Sequence, residues 1–285
     1  MPAPRVVFHV GAHKTGTSLV QKYCRDNLAL LRREKLVYLA RGEMNDLIGW
    51  GAELRDTPDL LASRLRALTR NRFVRDVIAS HENTIGRPFL ARVGPTLYPQ
   101  APELIEALAE VLRPYRVRIV LSIRPQDEFL ESYYLQTIQV GKHYTFEKWL
   151  SGIDLDAISW RPLVTVLHDA FGAENVELMD FRRIREGQDA YLRYFFSLAD
   201  PDLDLPISYE PTRNASISGK GLELALAANG FLRNGPERKS MRVFLQSNFS
   251  NRDYPRPVLL SDEQKHWLRE RYNPEYDELT MSNVG

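Results

Sequence analysis

The segment Gly11-Ala-His-Lys-Thr-Gly16-Thr-Ser18 sets two glycines five residues apart, with a lysine between them and two hydroxyl residues after them. Where such a loop leads into a helix, its backbone N–H groups have no intrahelical partner and carry partial positive charge, so they cradle a phosphate. A nucleoside triphosphatase loop has its lysine directly after the second glycine. Here Thr17 holds that position and the lysine, Lys14, sits inside the loop. A plain capped turn would need neither the second glycine nor the internal lysine. A second group lies downstream, where Arg124 and Pro125 are followed by Ser132, eight residues after the arginine and ahead of Tyr133 and Tyr134. A guanidinium grips a phosphate through two parallel N–H bonds, and a hydroxyl adds one more. The competing reading pairs Arg124 with Asp127 or Glu128 on the surface. The third group, His81-Glu82-Asn83, offers two general bases. His81 ranks slightly ahead, because an unperturbed histidine titrates near pH ~6.5.

These residues must be positioned by a strand-loop-helix framework. Arg5-Val-Val-Phe-His-Val10 is a short apolar run rich in β-branched residues and ends at Gly11, as a buried strand does before a turn. From Thr17 the apolar residues Leu19, Val20, Tyr23, Leu28 and Leu31 follow helical spacing, which predicts one helix ending near Arg33. Asp76–Ser80, Val117–Ile123 and Asn175–Asp180 read as further strands, with helices over Glu103–Leu112 and Leu163–Phe171. Pro125 suits the first position of a helix after the third of these strands. Short apolar strands alternating with helices predict a parallel sheet covered on both faces, and ligands of such sheets gather at the strands' carboxyl ends. His9, inside the first strand, reads as a hydrogen-bonded core histidine, and Cys24 as a buried helix residue without chemistry.

The prolines at 201, 206 and 211 predict an irregular connection from Asp200 to Pro211, followed by helices over Gly219–Leu232 and Ser261–Tyr272. Ser261 and Gln264 have the spacing of a capping box. The expected organisation is a core over residues 1–205 with a helical carboxyl-terminal region, 206–285, packed on it.

Composition excludes several classes. With 38 Lys+Arg against 37 Asp+Glu, the formal net charge is +1, too little for a broad nucleic-acid-binding field. No apolar run reaches the roughly 18–20 residues of a membrane span, and the amino terminus lacks a signal peptide's apolar stretch. A single cysteine, Cys24, permits no internal disulfide and fits a reducing compartment. The expectation is a cytoplasmic protein without a transmembrane segment or nucleic-acid partner, and without a bound metal.

The run His9-Val-Gly-Ala-His-Lys-Thr-Gly-Thr-Ser-Leu-Val-Gln21 resembles the 5′-phosphosulfate loop of sulfotransferases that use 3′-phosphoadenosine 5′-phosphosulfate (PAPS), above all the bacterial members. The arginine, proline, serine and aromatic at Arg124, Pro125, Ser132 and Tyr133 resemble that family's 3′-phosphate motif. The resemblance implies a three-layer P-loop NTPase-like α/β fold with a central parallel sheet. It further implies transfer of the sulfuryl group from PAPS to a hydroxyl acceptor, a small molecule or glycan, leaving adenosine 3′,5′-bisphosphate. By match, Lys14, Thr15, Gly16, Thr17 and Ser18 hold the 5′-phosphate and sulfuryl group, and Lys14 acts in catalysis. Arg124 and Ser132 hold the 3′-phosphate. The base falls on His81 or on Glu82, bacterial relatives often having a serine and glutamate at this turn. Glu43, in the loop after a short second strand, is a further alternative, since some members carry their base soon after the first helix. Arg213-Asn-Ala-Ser216 with Ser218-Gly-Lys220-Gly221 resembles a segment opening the helical region of bacterial members, where Lys220 would add a phosphate contact. Leu19 stands where many animal members have a tryptophan, so no adenine-stacking residue carries over. Trp50, Tyr98, Tyr133, Tyr144 and Trp160 are either acceptor-stacking aromatics or core. Two other readings remain: a P-loop kinase or triphosphatase, for which only Asp180 is placed to serve magnesium, and a family member that binds nucleotide without transferring sulfur.

Overall fold

Five short runs form strands: β1 (Arg5–Gly11), β2 (Leu36–Leu39), β3 (Asp76–Ser80), β4 (Arg116–Ile123) and β5 (Val176–Asp180). The computed structural model describes residues 5–49, 51–200, 203, 205–207 and 216–281. The strands make one parallel sheet in the order β2-β3-β1-β4-β5. Such a sheet is buried on both faces, which is why β1 and β3 are buried nearly throughout and read as near-continuous apolar runs. β1 is central. The chain runs from it to β2 and β3 on one side, then crosses to β4 and β5 on the other, so β1 ends where the connections diverge. That is the topological switch point of an open α/β sheet, where ligand crevices form.

The pleat divides the strand residues between the two faces. Val7, Ile78, Val120 and Met179 pack with Leu19, Val20, Tyr23 and Cys24 of α1 (Thr17–Asp26), Leu31 of α2 (Leu28–Arg33), and Tyr191, Leu192, Phe195 and Phe196 of a later helix. Asn27 breaks the single helix expected from Thr17 to Arg33, its side-chain amide closing the first helix on the Tyr23 carbonyl at 2.9 Å. Next come α3 (Arg41–Ile48), α4 (Ala52–Asp56), α5 (Pro58–Thr69) and α6 (Ala101–Leu112). Glu43 therefore stands on a helix, not in the loop expected for it.

Packing groups the chain into two units. The first takes in Met1–Arg124, Asp156–Glu210 and Glu275–Gly285, and the second Pro125–Leu155 and Pro211–Pro274. The second contains α7 (Gln126–Gln139) and α8 (Phe146–Leu150). The first resumes with α9 (Arg161–Phe171) and α10 (Gln188–Ala199). α5 touches β3, α9 touches β5, and α6 packs on α9, which covers the sheet face opposite α1 and α10. The second unit adds α11 (Gly219–Asn229), α12 (Gly235–Asn248) and the start of α13 (Asp262–Met281). Its core includes an aromatic group of Tyr134, Phe146 and Trp149, and the Asn229 amide caps α7 by donating to the carbonyls of Ile138 and Lys142, both at 2.7 Å. The capping box at α13 forms in both directions: the Gln264 N–H donates to Ser261 Oγ at 3.1 Å and the Ser261 N–H to Gln264 Oε1 at 2.9 Å. No helix among the described residues is long and apolar enough to cross a membrane.

Candidate functional site

The loop between β1 and α1 is held from three sides. At its start the Ala12 N–H donates to the Ser122 carbonyl of β4 at 2.8 Å, and the His13 N–H donates to the Tyr98 hydroxyl at 2.8 Å. Thr15 turns its hydroxyl inward onto the Ala12 carbonyl at 2.6 Å, so its one proton is committed and only its amide is left for a ligand. Gly16 has φ 89°, and a Cβ there would lie 2.9 Å from the Tyr191 ring. Conformation and space both require glycine. Lys14 also has a left-handed backbone, φ 60°, the kind of local strain that tends to collect at working sites.

The N–H groups of Lys14, Thr15, Gly16, Thr17 and Ser18 donate to no group among the described residues. The hydroxyls of Thr17, buried, and Ser18, exposed, have no partner there either. Backbone N–H groups without partners at a helix start can hold an anion, and the Lys14 ammonium would add charge to such a site. Burial and the neighbouring Arg124 guanidinium lower the Lys14 pKa to about 8, while the Glu82 carboxylate pulls it the other way.

Arg124 leaves the end of β4. Its guanidinium lies over the Phe181 ring, 4.8 Å from the centroid, and its Nη1 donates to the Lys14 carbonyl at 3.2 Å. The arginine of one sequence motif thus touches the lysine of the other, 110 residues away. The link is backed by aromatic packing. The Trp160 indole N–H donates to the Arg124 carbonyl at 2.8 Å, Trp160 lies 6.2 Å from Tyr98, and Tyr98 holds His13. Tyr98 and Trp160 are buried core, not open stacking surfaces.

Three histidines near the loop stay neutral at pH 7. His9 bridges Ser80 Oγ at 3.0 Å and Ser122 Oγ at 3.2 Å, and burial lowers its pKa to about 4 despite the Glu82 carboxylate. His13 is lowered likewise to about 4 by burial. Asn83 Oδ1 can only accept, so the neutral His13 ring carries its proton on Nε2, 3.1 Å from that oxygen, and its Nδ1 accepts the Tyr98 hydroxyl proton at 3.0 Å, the phenol oxygen in turn accepting the His13 amide. His81, fully buried, is lowered to about 4 by burial, with Nε2 2.9 Å from Asn45 Oδ1 and Nδ1 3.3 Å from Thr84 Oγ1.

Glu82 faces elsewhere. Its Oε2 accepts from Gln21 at 3.0 Å, and its Oε1 pairs with the half-exposed Arg41 at 3.2 Å. Burial favours the neutral acid, but Arg41, the Glu82 backbone amide, His13 and Gln21 outweigh it and hold the carboxyl below its ordinary range. Glu43 is engaged with Arg64 in an ion pair. Asp180 is similarly occupied: its carboxylate accepts from the Tyr276 hydroxyl at 2.6 Å and the Arg182 N–H at 2.7 Å, and pairs with the Arg182 guanidinium. No three acidic, histidine or cysteine side chains cluster as a metal site among the described residues.

Ser132 and Lys220 lie in the second unit. Ser132 is half-buried on α7, and Lys220 stands at the start of α11 with its ammonium 4.8 Å above the Tyr254 ring. There Tyr133 stacks on Phe129, 6.0 Å between ring centroids, and Tyr144 lies 6.4 Å from Tyr134. Trp50 and the Arg213-Asn-Ala portion of the other motif fall outside the described residues. Tyr191, Gln21 and Arg41 escaped sequence reasoning as site residues, and Tyr98 and Trp160 entered it as acceptor-stacking aromatics or core, not as supports of the loop. Their partners lie as far as 176 residues away, and no local spacing signals such contacts.

The fold and loop define an α/β protein with a lysine- and glycine-bearing loop at the switch point of a parallel sheet. No family model and no curated protein sequence matches the chain. Among solved structures it is similar to a sulfotransferase from Alicyclobacillus acidocaldarius, at 14% identity over 84% of this chain and 99% of that one, with a TM-score of 0.42.

Proposed function

We propose that this protein is a sulfotransferase that takes the sulfuryl group of PAPS to a hydroxyl acceptor. What carries the reading is the meeting of the two motifs: Arg124 donates to Lys14 in a loop whose five amides from Lys14 to Ser18 have no partner among the described residues. The donor set suits an anion with two phosphate centres. The loop amides and Lys14 would hold the 5′ end, with Thr17 and Ser18 hydroxyls adding bonds, while Arg124 would fork onto the 3′-phosphate. Ser132 and Lys220 enter by the family resemblance alone. PAPS supplies the transferable sulfuryl group. Lys14 would stabilise charge gathering on the leaving phosphate, and positioning would do most of the rest. The kinase reading loses its magnesium ligand, because Asp180 is already spent on Tyr276 and Arg182.

Calorimetry in EDTA tests the assignment. Adenosine 3′,5′-bisphosphate should bind at least ~10-fold tighter than ATP, one extra charge-assisted grip being worth about that much. Magnesium-dependent ATP binding, with no binding of the bisphosphate, sinks it.

For the base, the geometry favours Glu82 over His81. Glu82 is ionised at neutral pH and adjoins Lys14 electrostatically, whereas the His81 ring is the more deeply buried and its Nε2–H is committed to Asn45 Oδ1. Glu82→Gln should lower sulfuryl transfer to a screened hydroxyl acceptor by ~100-fold or more, the usual value of a general base. Bisphosphate affinity should stay within about threefold, the base having no contact with the nucleotide. Normal turnover in Glu82→Gln, or loss only in a folded His81→Asn variant, would return the role to His81.

A further inference from the structure

We propose that Tyr191 is the positioning residue of the anion cradle, setting the loop from beneath through a one-way chain of buried hydrogen bonds that starts at Ser80. The inference rests on the nucleotide-binding reading above. The Tyr191 hydroxyl donates to the Thr15 carbonyl at 2.6 Å and lies 3.3 Å from Ser122 Oγ. A carbonyl can only accept, so the single phenol proton belongs to Thr15 and Ser122 must donate to Tyr191. Ser122 Oγ then accepts from His9 Nε2–H at 3.2 Å, which leaves His9 Nδ1 to accept from Ser80 Oγ at 3.0 Å. Burial keeps His9 neutral, as this sequence of donors requires. Every hydroxyl and ring nitrogen in the chain has a defined direction, running through β3, β1 and β4 to α10 and ending on the loop.

The position of Tyr191 adds a steric argument. Its ring fills the space under Gly16, where even a methyl group would collide with it. One side chain therefore fixes the carbonyl of Thr15 and the height of Gly16, two consecutive residues of the cradle. Turning the Thr15 carbonyl down toward α10 commits the peptide plane it shares with Gly16, and so aims the Gly16 N–H in the opposite direction. Phenylalanine would keep the packing and lose the aim. It would also leave the Thr15 carbonyl and the Ser122 hydroxyl without their partner in a buried setting.

Tyr191→Phe tests this through a ratio that general destabilisation leaves alone. Its affinity for adenosine 3′,5′-bisphosphate should fall about tenfold, the effect of one buried hydrogen bond, while adenosine 3′-monophosphate, which has no 5′-phosphate, stays within about twofold. Hydrogen exchange at the Ala12, Leu19 and Val20 amides, which flank the loop, should quicken about tenfold by the same measure, without a matching change at the strand centres. Equal loss for both nucleotides, or unchanged bisphosphate affinity with unchanged exchange, overturns the proposal. If the wild-type protein binds neither nucleotide, the functional reading fails, and the exchange comparison still decides the role of Tyr191. If Tyr191→Phe does not fold, Ser122→Ala decides instead. It spares the Tyr191–Thr15 contact but removes the group that orients the phenol, so the same pattern should appear at about threefold. A Ser122→Ala protein identical to wild type in affinity and exchange refutes the chain.

Discussion

Replacing Lys14 with methionine should stabilise the ligand-free protein at pH 7 while removing sulfuryl transfer. The folded state penalises the Lys14 charge, chiefly by burial and then by Arg124, and lowers its pKa from 10.5 to about 8. The unfolded chain thus binds the proton more tightly than the native one, so stability from this group is fully present above pH 10.5 and is lost as pH falls through about 8. At pH 7 the wild-type protein bears that cost. With the solvent screening of a half-buried site allowed for, methionine should recover about 1–2 kcal/mol, or roughly 2–6 °C in melting temperature. The advantage should shrink as pH rises from 7 to 10, which melting curves on both proteins would measure. Transfer should fall by ~100-fold or more, as when a group facing developing charge is removed. If Lys14 holds the nucleotide as proposed, the same charge should make binding pH-dependent. Bisphosphate affinity should weaken by up to ~10-fold from pH 7 to 9 in the wild type, as the free enzyme loses the Lys14 proton, and should lose that dependence in Lys14→Met. A variant less stable than wild type at pH 7, with a difference that does not vary with pH, would show that the Lys14 charge is not under strain.

That conflict between stability and function explains why part of the site is legible in the sequence and part is not. Lys14 and Gly16 break local rules: a lysine with left-handed backbone and a glycine where nothing else fits. Such residues stand out along the chain because a positive φ is a local requirement, even where, as at Gly16, a distant ring adds to it. Strands β1 and β3 and the buried end of β4 from Ile119 were equally readable, since burial on both faces writes them as mostly apolar runs. The ranking of His81 and Glu82 was not readable. They are neighbours at a strand end and both are plausible bases by type, but they project to different surroundings. His81 meets Asn45 and Thr84, whereas Glu82 meets Gln21 and Arg41. Only those surroundings separate a neutral ring from an ionised carboxylate. Thr15 illustrates the reverse difficulty. A hydroxyl beside a phosphate loop suggests a ligand contact, yet its proton is used by the Ala12 carbonyl three residues back. The supporting layer of Tyr98, Trp160 and Tyr191 consists of large aromatics, of which the sequence left the first two open between acceptor stacking and core. They are core, and they also carry polar tips whose bonds reach the loop and Arg124.

Removing Arg124 should separate the two phosphates of the ligand. Arg124→Ala should weaken adenosine 3′,5′-bisphosphate by ~100-fold, the worth of a lost charge-assisted fork, and adenosine 5′-monophosphate by only about 3–10-fold. The smaller loss is not zero because the guanidinium also donates to the Lys14 carbonyl, so its absence should loosen the loop proposed to hold the 5′-phosphate. Arg124 also lowers the Lys14 pKa, second only to burial, and without it the pH at which 5′-monophosphate binding weakens should move upward. Arg124→Lys distinguishes charge from shape. A lysine restores the point charge and its repulsion of Lys14, but it cannot fork, so the pH dependence should return toward wild type while most of the bisphosphate loss remains. Calorimetry with the two nucleotides, repeated from pH 7 to 9, reads both effects. Equal losses for the two nucleotides would mean that Arg124 serves the loop alone, and the 3′-phosphate would have to be read by other residues.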